Sequence, residues 1–366
     1  MKYLEEFRDE QQVKKLLDEI HKIVTREWHI MEICGGQTHS LVKNGILNLL
    51  PGNIIMIHGP GCPVCVTPIG MIDRAVELAL KKDVILCSFG DMVRVPGSEM
   101  SLLKAKAMGA DVRIVYSPLD ALKIAADHSD REVVFFAVGF ETTAPANALS
   151  VVQAKKADIH NYSILTSHVL VPPAMEAILS DEETRIHGFL AAGHVCTIMG
   201  SEEYDPISNK YKVPIIITGF EPVDLLHGIK SCVRQLEKGT YLLDNQYKRV
   251  VKHEGNKEAK SIIYEIFEIG DREWRGIGMI PSSGYQVRKE YSAFDAMRKF
   301  AIKVAEGKEN PECMAGQVLK GLKKPHECPL FGNICTPSNP QGAPMVSSEG
   351  SCAAYYHFGY ESVQKN

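Results

Sequence analysis

Seven cysteines fall in three groups whose spacing suits thiol chemistry. The last four, Cys313, Cys328, Cys335 and Cys352, are separated by 14, 6 and 16 residues. Four thiolates satisfy a cubane [4Fe–4S] cluster or a tetrahedral zinc. Zinc sites usually carry a tight pair roughly two to four residues apart, and this set has none. Long, uneven intervals suit a cluster whose irons face different ways. The stretch from Glu309 to Gly350 is dominated by Pro, Gly, Cys and Ser. So few large aliphatics cannot bury enough surface to order it, and the residues predict a cluster as the ligand that does. A loop with scattered buried thiols is the plain alternative.

The other two groups lie just past apolar runs. Cys34 opens Cys34-Gly35-Gly36-Gln37-Thr38-His39, and Cys62 and Cys65 lie in Gly59-Pro60-Gly61-Cys62-Pro63-Val64-Cys65. The glycines let the backbone come close, and amides at a helix start favour a thiolate. A Cys-x-x-Cys pair enclosing Pro has the shape of a dithiol redox couple; half a zinc site and a pair of structural thiols stay open beside it. Cys34 alone reads either as a functional thiol or as a small buried hydrophobe. Cys87, Cys196 and Cys232 lie inside apolar or helical patterns and read as core. Asp91, Glu141 and His194 follow further apolar runs, with His39 a weaker case. Each is alone readable as a helix cap or satisfied loop residue, but together they predict two clefts, or one shared cleft, lined by polar groups. No Walker loop, G-x-G-x-x-G or C-x3-C-x-x-C is present, which speaks against nucleotide binding and radical-SAM chemistry.

Strands and helices must position these groups. Ile30–Ile33, Ile54–Ile57, Val84–Cys87 and Val112–Val115 are short Ile- and Val-rich runs, separated by helical patterns near 38–49, 68–81, 98–108 and 118–128. Such runs indicate strands buried on both faces of a parallel sheet. The rhythm restarts at Val133–Val138 and continues through Tyr162–Leu165, Gly188–Ala191 and Val213–Thr218, with helices near 143–156, 172–180 and 222–237. Leu4, Phe7, Val13, Leu17, Ile20 and Val24 form one stripe of an N-terminal amphipathic helix. The predicted fold is α/β: two parallel-sheet, Rossmann-like units facing a cleft, plus a C-terminal cluster-binding segment. Its expected divisions are residues 1–26 (docking helix), 27–130 (first unit, with Cys34, Cys62 and Cys65), 131–240 (second unit) and 241–366 (cluster domain). In open parallel sheets, ligands bind beyond the carboxyl ends of the strands, so Cys34 and the Cys62/Cys65 pair are expected in one crevice.

Composition narrows the class. The apolar fraction is 45% and the formal charge −4, with no long run of either sign, so nucleic acid is not an expected partner. No stretch approaches the roughly 18–20 apolar residues of a membrane span, and Met1-Lys2-Tyr3-Leu4-Glu5-Glu6-Phe7 lacks a signal-peptide core. A cytoplasmic, reducing location is expected, where ten cysteines read as ligands or reactive thiols before disulfides.

Cys34–His39, Gly59–Val66, Phe89–Gly97, Gly139–Thr143, Gly219–Asp224, Trp274–Gly278 and Ser347–Tyr356 together resemble the HypD family of hydrogenase maturation proteins, across nearly the whole chain. The resemblance implies a scaffold on which the Fe(CN)2CO unit of [NiFe]-hydrogenases is assembled, its Fe(II) held by Cys34 and the small partner HypC. It further implies that HypE supplies cyanide from a carbamoyl group transferred by HypF. By the same resemblance, Cys313, Cys328, Cys335 and Cys352 hold a [4Fe–4S] cluster and Cys62 and Cys65 form a redox-active pair. Gln37 stands where the family motif carries histidine. Gln does not titrate or ligate as an imidazole does, so a proton-shuttle or ligand role is in question there; His39 substitutes, or the position only donates a hydrogen bond. A cluster-fed thiol–disulfide reductase and an interaction protein stapled by its cluster are the competing readings.

Overall fold

The computed structural model describes residues 8–302 and 307–359. Eleven strands are numbered here in chain order: β1 Trp28–Glu32, β2 Ile54–His58, β3 Val84–Ser88, β4 Val112–Ile114, β5 Glu132–Gly139, β6 Tyr162–His168, β7 Gly188–Ala192, β8 Ile215–Thr218, β9 Leu243–Asn245, β10 Phe267–Trp274 and β11 Gly278–Val287. The first eight match the eight Ile- and Val-rich runs. β8 begins at Ile215, just past Pro214, which has no N–H for a ladder. β3, β6, β7 and β8 are buried along their whole length.

The strands are shared out differently from consecutive halves. One parallel sheet has the order β2-β1-β7-β8-β9 and the other β4-β3-β5-β6. The first and last strands of the α/β region therefore share a sheet, and the sheets do not divide at residue 130. The physical reason is that parallel neighbours are joined by crossovers rather than hairpins, and uniformly apolar strands carry no pairing code. Both sheets nevertheless wind alike: the second strand to enter lies outside the first, and the third on its other side. The winding direction thus reverses beside β1 in one sheet and beside β3 in the other, the kind of place where open parallel sheets bind ligands. One apolar cluster runs through both sheets, joining Met31, Ile33 and Phe189 to Phe135, Ala137 and Tyr162.

The helix Glu10–Ile23 lays Leu16 and Ile20 on Leu225, Ile229 and Val233 of the helix Pro222–Lys238, with Lys230 Nζ bonded to Glu19 at 2.8 Å. Leu4 and Phe7, the first residues of the expected stripe, lie outside the described residues. Beyond residue 240, β10 and β11 form an antiparallel hairpin whose turn residue Arg275 donates its N–H to Val66 O at 2.8 Å, beside the Cys-x-x-Cys turn. Among the described residues no helix is long and apolar enough to cross a membrane.

Gly61 sets how closely the loops after β1 and β2 approach: a Cβ there would run into the Ile33 carbonyl and Cys34 Cα. Gly61→Ala should cost about 1–3 kcal/mol through overpacking. Gly52→Ala, with open space around its Cβ, should stay within about 0.5 kcal/mol. Urea denaturation midpoints of the two variants check the difference.

Candidate thiol and metal site

Cys34 follows β1 and caps the helix Gly35–Lys43; Cys62 follows β2 and caps the turn Pro63–Val66, which carries Cys65. β1 and β2 are hydrogen-bonded parallel neighbours with Glu32 opposite His58, so the three cysteines leave the sheet side by side. Gly35 N–H donates to Gly61 O at 3.0 Å and Gly59 N–H to Glu32 O at 2.9 Å, tying the two loops together. Cys62 and Cys65 are buried, and their thiols hydrogen-bond each other.

These thiols are not the thiolates that the helix starts suggest. Burial pushes Cys34 up to about 12, and the Glu349 carboxylate adds to it; the amides of Gly36 and Gln37 pull down without prevailing. Burial, then the hydrogen bond from Cys62, lifts Cys65 well above its usual range. Desolvation of a charge outweighs one or two amide dipoles.

The C-terminal segment lies over this corner. Glu349 sits on the start of the Cys34 helix, where a Cβ on Gly35 would stand 2.5 Å from Glu349 O. Its carboxylate acts on both Cys34 and Cys65, and Cys352 acts on Cys65 as well. The Glu349 carboxyl is itself raised by desolvation, opposed by His39 and reinforced by Asp91. His39 faces Ser348 O at 3.0 Å, and Asp91 accepts from Arg94, whose guanidinium also donates to Val346 O. His194 stacks on Phe220 with ring centroids 3.9 Å apart, and Phe220 lies against Gly36. Desolvation lowers its imidazole. Asp91 and His39 therefore act on the Glu349 carboxyl, and His194 reaches the start of the Cys34 helix through Phe220. Glu141 does neither: it lies in a separate cavity with Glu203, Tyr264 and Tyr285.

Cys313, Cys328, Cys335 and Cys352 pack around Leu330, Met345 and Ala353, close enough for each of the other three to raise Cys352. Gln341 N–H donates to Cys335 Sγ at 3.4 Å and the Ala315 amide bonds Cys313. Gly342 passes so close that a Cβ would stand 2.6 Å from Cys313 Sγ. Hydrogen bonds to sulfur and a glycine-lined cradle fit a cluster's thiolate ligands. Among the described residues no three Cys, His, Asp or Glu side chains converge as ligands of one metal ion.

Four polar groups at this corner escaped the sequence reading. Glu32 is fully buried at the end of β1 and accepts from His58 Nδ1–H of β2 and from the Thr38 hydroxyl at 2.9 Å. The Tyr355 hydroxyl donates to His58 Nε2 at 2.9 Å, three residues past Cys352. Glu349, three residues before Cys352, is the fourth. A carboxylate and an imidazole facing each other inside apolar strands, Met31-Glu32-Ile33 and Ile57-His58-Gly59, were the available signal. Gln37, also buried, donates to Ala191 O at 3.1 Å and Thr218 Oγ1 at 2.7 Å, so in this chain the position holds the Cys34 helix to β7 and β8.

The fold and the site define a cysteine-rich α/β protein whose thiols gather beyond the ends of its parallel strands. The family model described as the Hydrogenase formation hypA family, HypD, matches residues 11–359. The "Hydrogenase maturation factor HypD" of Azotobacter vinelandii is 48% identical over 368 residues, 98% of this chain and 97% of its own. The protein of that name from Escherichia coli is 45% identical over 366 residues, 98% of each. The chain belongs to the HypD family of hydrogenase maturation factors.

Tyr355→Phe removes the hydroxyl and leaves His58 Nε2 buried without its partner. It should cost about 1–3 kcal/mol and undock the end of the C-terminal segment. Hydrogen exchange should speed up in residues 351–359 while the β5 and β6 amides stay protected.

Proposed function

We propose that this chain is a scaffold in hydrogenase maturation on which the Fe(CN)2CO unit is assembled and from which it is released. Cys34 is the protein-side ligand of that iron. HypC supplies a second grip, HypE delivers cyanide, and HypF acts upstream of HypE. The observation that carries the reading is the meeting of three cysteine groups at one corner: Cys34 beside Cys62, Cys65 hydrogen-bonded to Cys62, and Cys352 acting on Cys65.

The division of labour follows from each group's surroundings. Cys34 is only half-buried, one thiol rather than a closed set, and so suits a ligand that must let its iron go. Iron(II) with cyanide and carbonyl is soft and prefers sulfur; as it takes the Cys34 sulfur, the thiol proton must leave, and burial makes that proton costly until the metal replaces it. Glu349, whose carboxyl is raised by burial and acts on Cys34, is an acceptor for it. Cys62 and Cys65, already in contact, can close to a disulfide, releasing two electrons and two protons. Cys313, Cys328, Cys335 and Cys352 would hold a [4Fe–4S] cluster, which supplies one-electron chemistry when bound. The two sheets read as Rossmann-like units whose facing ends form the water-poor crevice.

Cys34→Ala, copurified with HypC, should keep the fold and the cluster's visible absorption while losing the CN and CO infrared bands. Bands that persist in that variant place the iron elsewhere. Cys328→Ala should lose the brown chromophore and loosen residues 309–356; an unchanged spectrum and iron content overturns the cluster assignment. A wild-type chain that carries cluster iron only, shows no CN or CO bands with HypC, yet turns over disulfides is the reductase instead.

A further inference from the structure

The Glu141 cavity lies outside the thiol site, encloses about 240 Å³ and has no role in the function proposed above. Glu141 is almost wholly buried. Its Oε1 accepts from Val171 N–H at 2.9 Å, where the helix Val171–Ser180 begins, while its Oε2 has no partner in the structure. The buried hydroxyl of Tyr285, on the same wall, has none either. Two unpartnered polar groups buried in one cavity are costly unless a ligand completes them.

The electrostatics say what is missing. Burial pushes the Glu141 carboxyl up to about 8, with Glu203 adding to it. Glu203 is raised by desolvation, Tyr264 and Tyr285 are raised by burial and by both carboxylates, and Cys196 and Tyr204 feel Glu141 as well. Glu176 adds a further carboxylate to the wall. Two described cations counter this group: Lys210, whose Nζ bonds Glu176 Oε1 at 3.0 Å, and Lys260, whose Nζ acts on Glu203 while bonding Met199 O at 3.3 Å and Glu254 O at 3.2 Å. Neither cation acts on Glu141 itself, where only backbone N–H groups oppose burial and the Glu203 charge. The remaining wall, Pro172, Pro173, Met199 and Ile207, is apolar.

We propose that this cavity binds a small organic cation bearing N–H donors, a primary alkylammonium or a guanidinium, with its head on Glu141 and Tyr285 and its aliphatic stem along the prolines. The head supplies both the missing donors and the missing charge, and phenol rings favour a cation nearby. A bare metal ion fits less well, since no three ligating side chains converge here among the described residues. A neutral ligand leaves the carboxyl repulsion in place.

Binding ionises Glu141, so the complex should release up to one proton near neutral pH. Affinity should climb with pH by up to about tenfold per unit until about 8, then level off. The test is calorimetry of the full chain with n-butylammonium and butylguanidinium, in buffers of different ionisation heat, with butanol and butyramide as neutral counterparts. Binding near about 1 mM with proton release, weakened at least about tenfold in Glu141→Gln at unchanged melting temperature, supports the proposal. If Glu141→Gln does not fold, Tyr285→Phe should show the same direction with a smaller loss. Absence of binding at tens of millimolar, equal binding of the neutral compounds, binding without proton release, or competition by magnesium alone overturns it.

Discussion

The contact between Glu32 and His58 is the one on which the thiol corner depends. A carboxylate placed in a fully apolar strand end must be hydrogen-bonded or it unfolds its surroundings. Its partners come from three different parts of the chain: His58 from β2, Thr38 from the helix after Cys34 and, through the imidazole, Tyr355 from the C-terminal segment. Bonding one oxygen of this buried carboxylate therefore fixes the register of β1 on β2, the entry of the Cys34 helix and the seat of the segment that carries Cys352. A slip of one residue along β2 would turn His58 to the other face and leave Glu32 alone. Cys34 lies two residues beyond Glu32 and Cys62 four beyond His58, so their separation is inherited from that pair.

Burial gives this corner its chemical character and its cost. A dry setting holds Cys34 and Cys65 as thiols, which protects them from adventitious oxidants, since the thiolate is the reactive form. The same dryness strengthens any charge that does enter, because fewer waters screen it. A soft metal that takes a thiolate and expels a proton exploits both effects. Glu349 adds a constraint of its own: it disfavours a bare thiolate at Cys34 and at Cys65 alike, and becomes favourable only beside positive charge.

How much of this was legible in the sequence varies with the kind of signal. The eight Ile- and Val-rich strands and the helices between them could be read because a strand buried on both faces leaves a dense apolar run. Which strands share a sheet could not, because Ile54–His58 and Val84–Ser88 look alike and pairing is decided by crossovers. The β10–β11 hairpin was missed since Phe267–Trp274 buries mainly its ends and reads as polar. Cysteine type and glycine context marked Cys34, Cys62 and Cys65. Glu32, His58 and Glu349 gave no such mark, because a polar residue's burial is set by tertiary contacts. Glu141 was marked by its strand-end position, but the end of β5 opens on a cavity apart from the thiol corner.

Gln37 shows how a departure from a family motif is read once its contacts are known. The position lies beside the reversal point of its sheet, where the helix after β1 must be held against the ends of β7 and β8. The amide does this with two N–H bonds from a single nitrogen, to Ala191 O and Thr218 Oγ1. A neutral imidazole has one N–H and reproduces at most one of them; a charged one has two but brings a buried charge. In this chain the Gln37 anchor of the Cys34 helix is therefore independent of pH across the range where histidine titrates. Proton movement at the corner then falls to Glu349, which lies on the start of that helix with its carboxyl raised by burial.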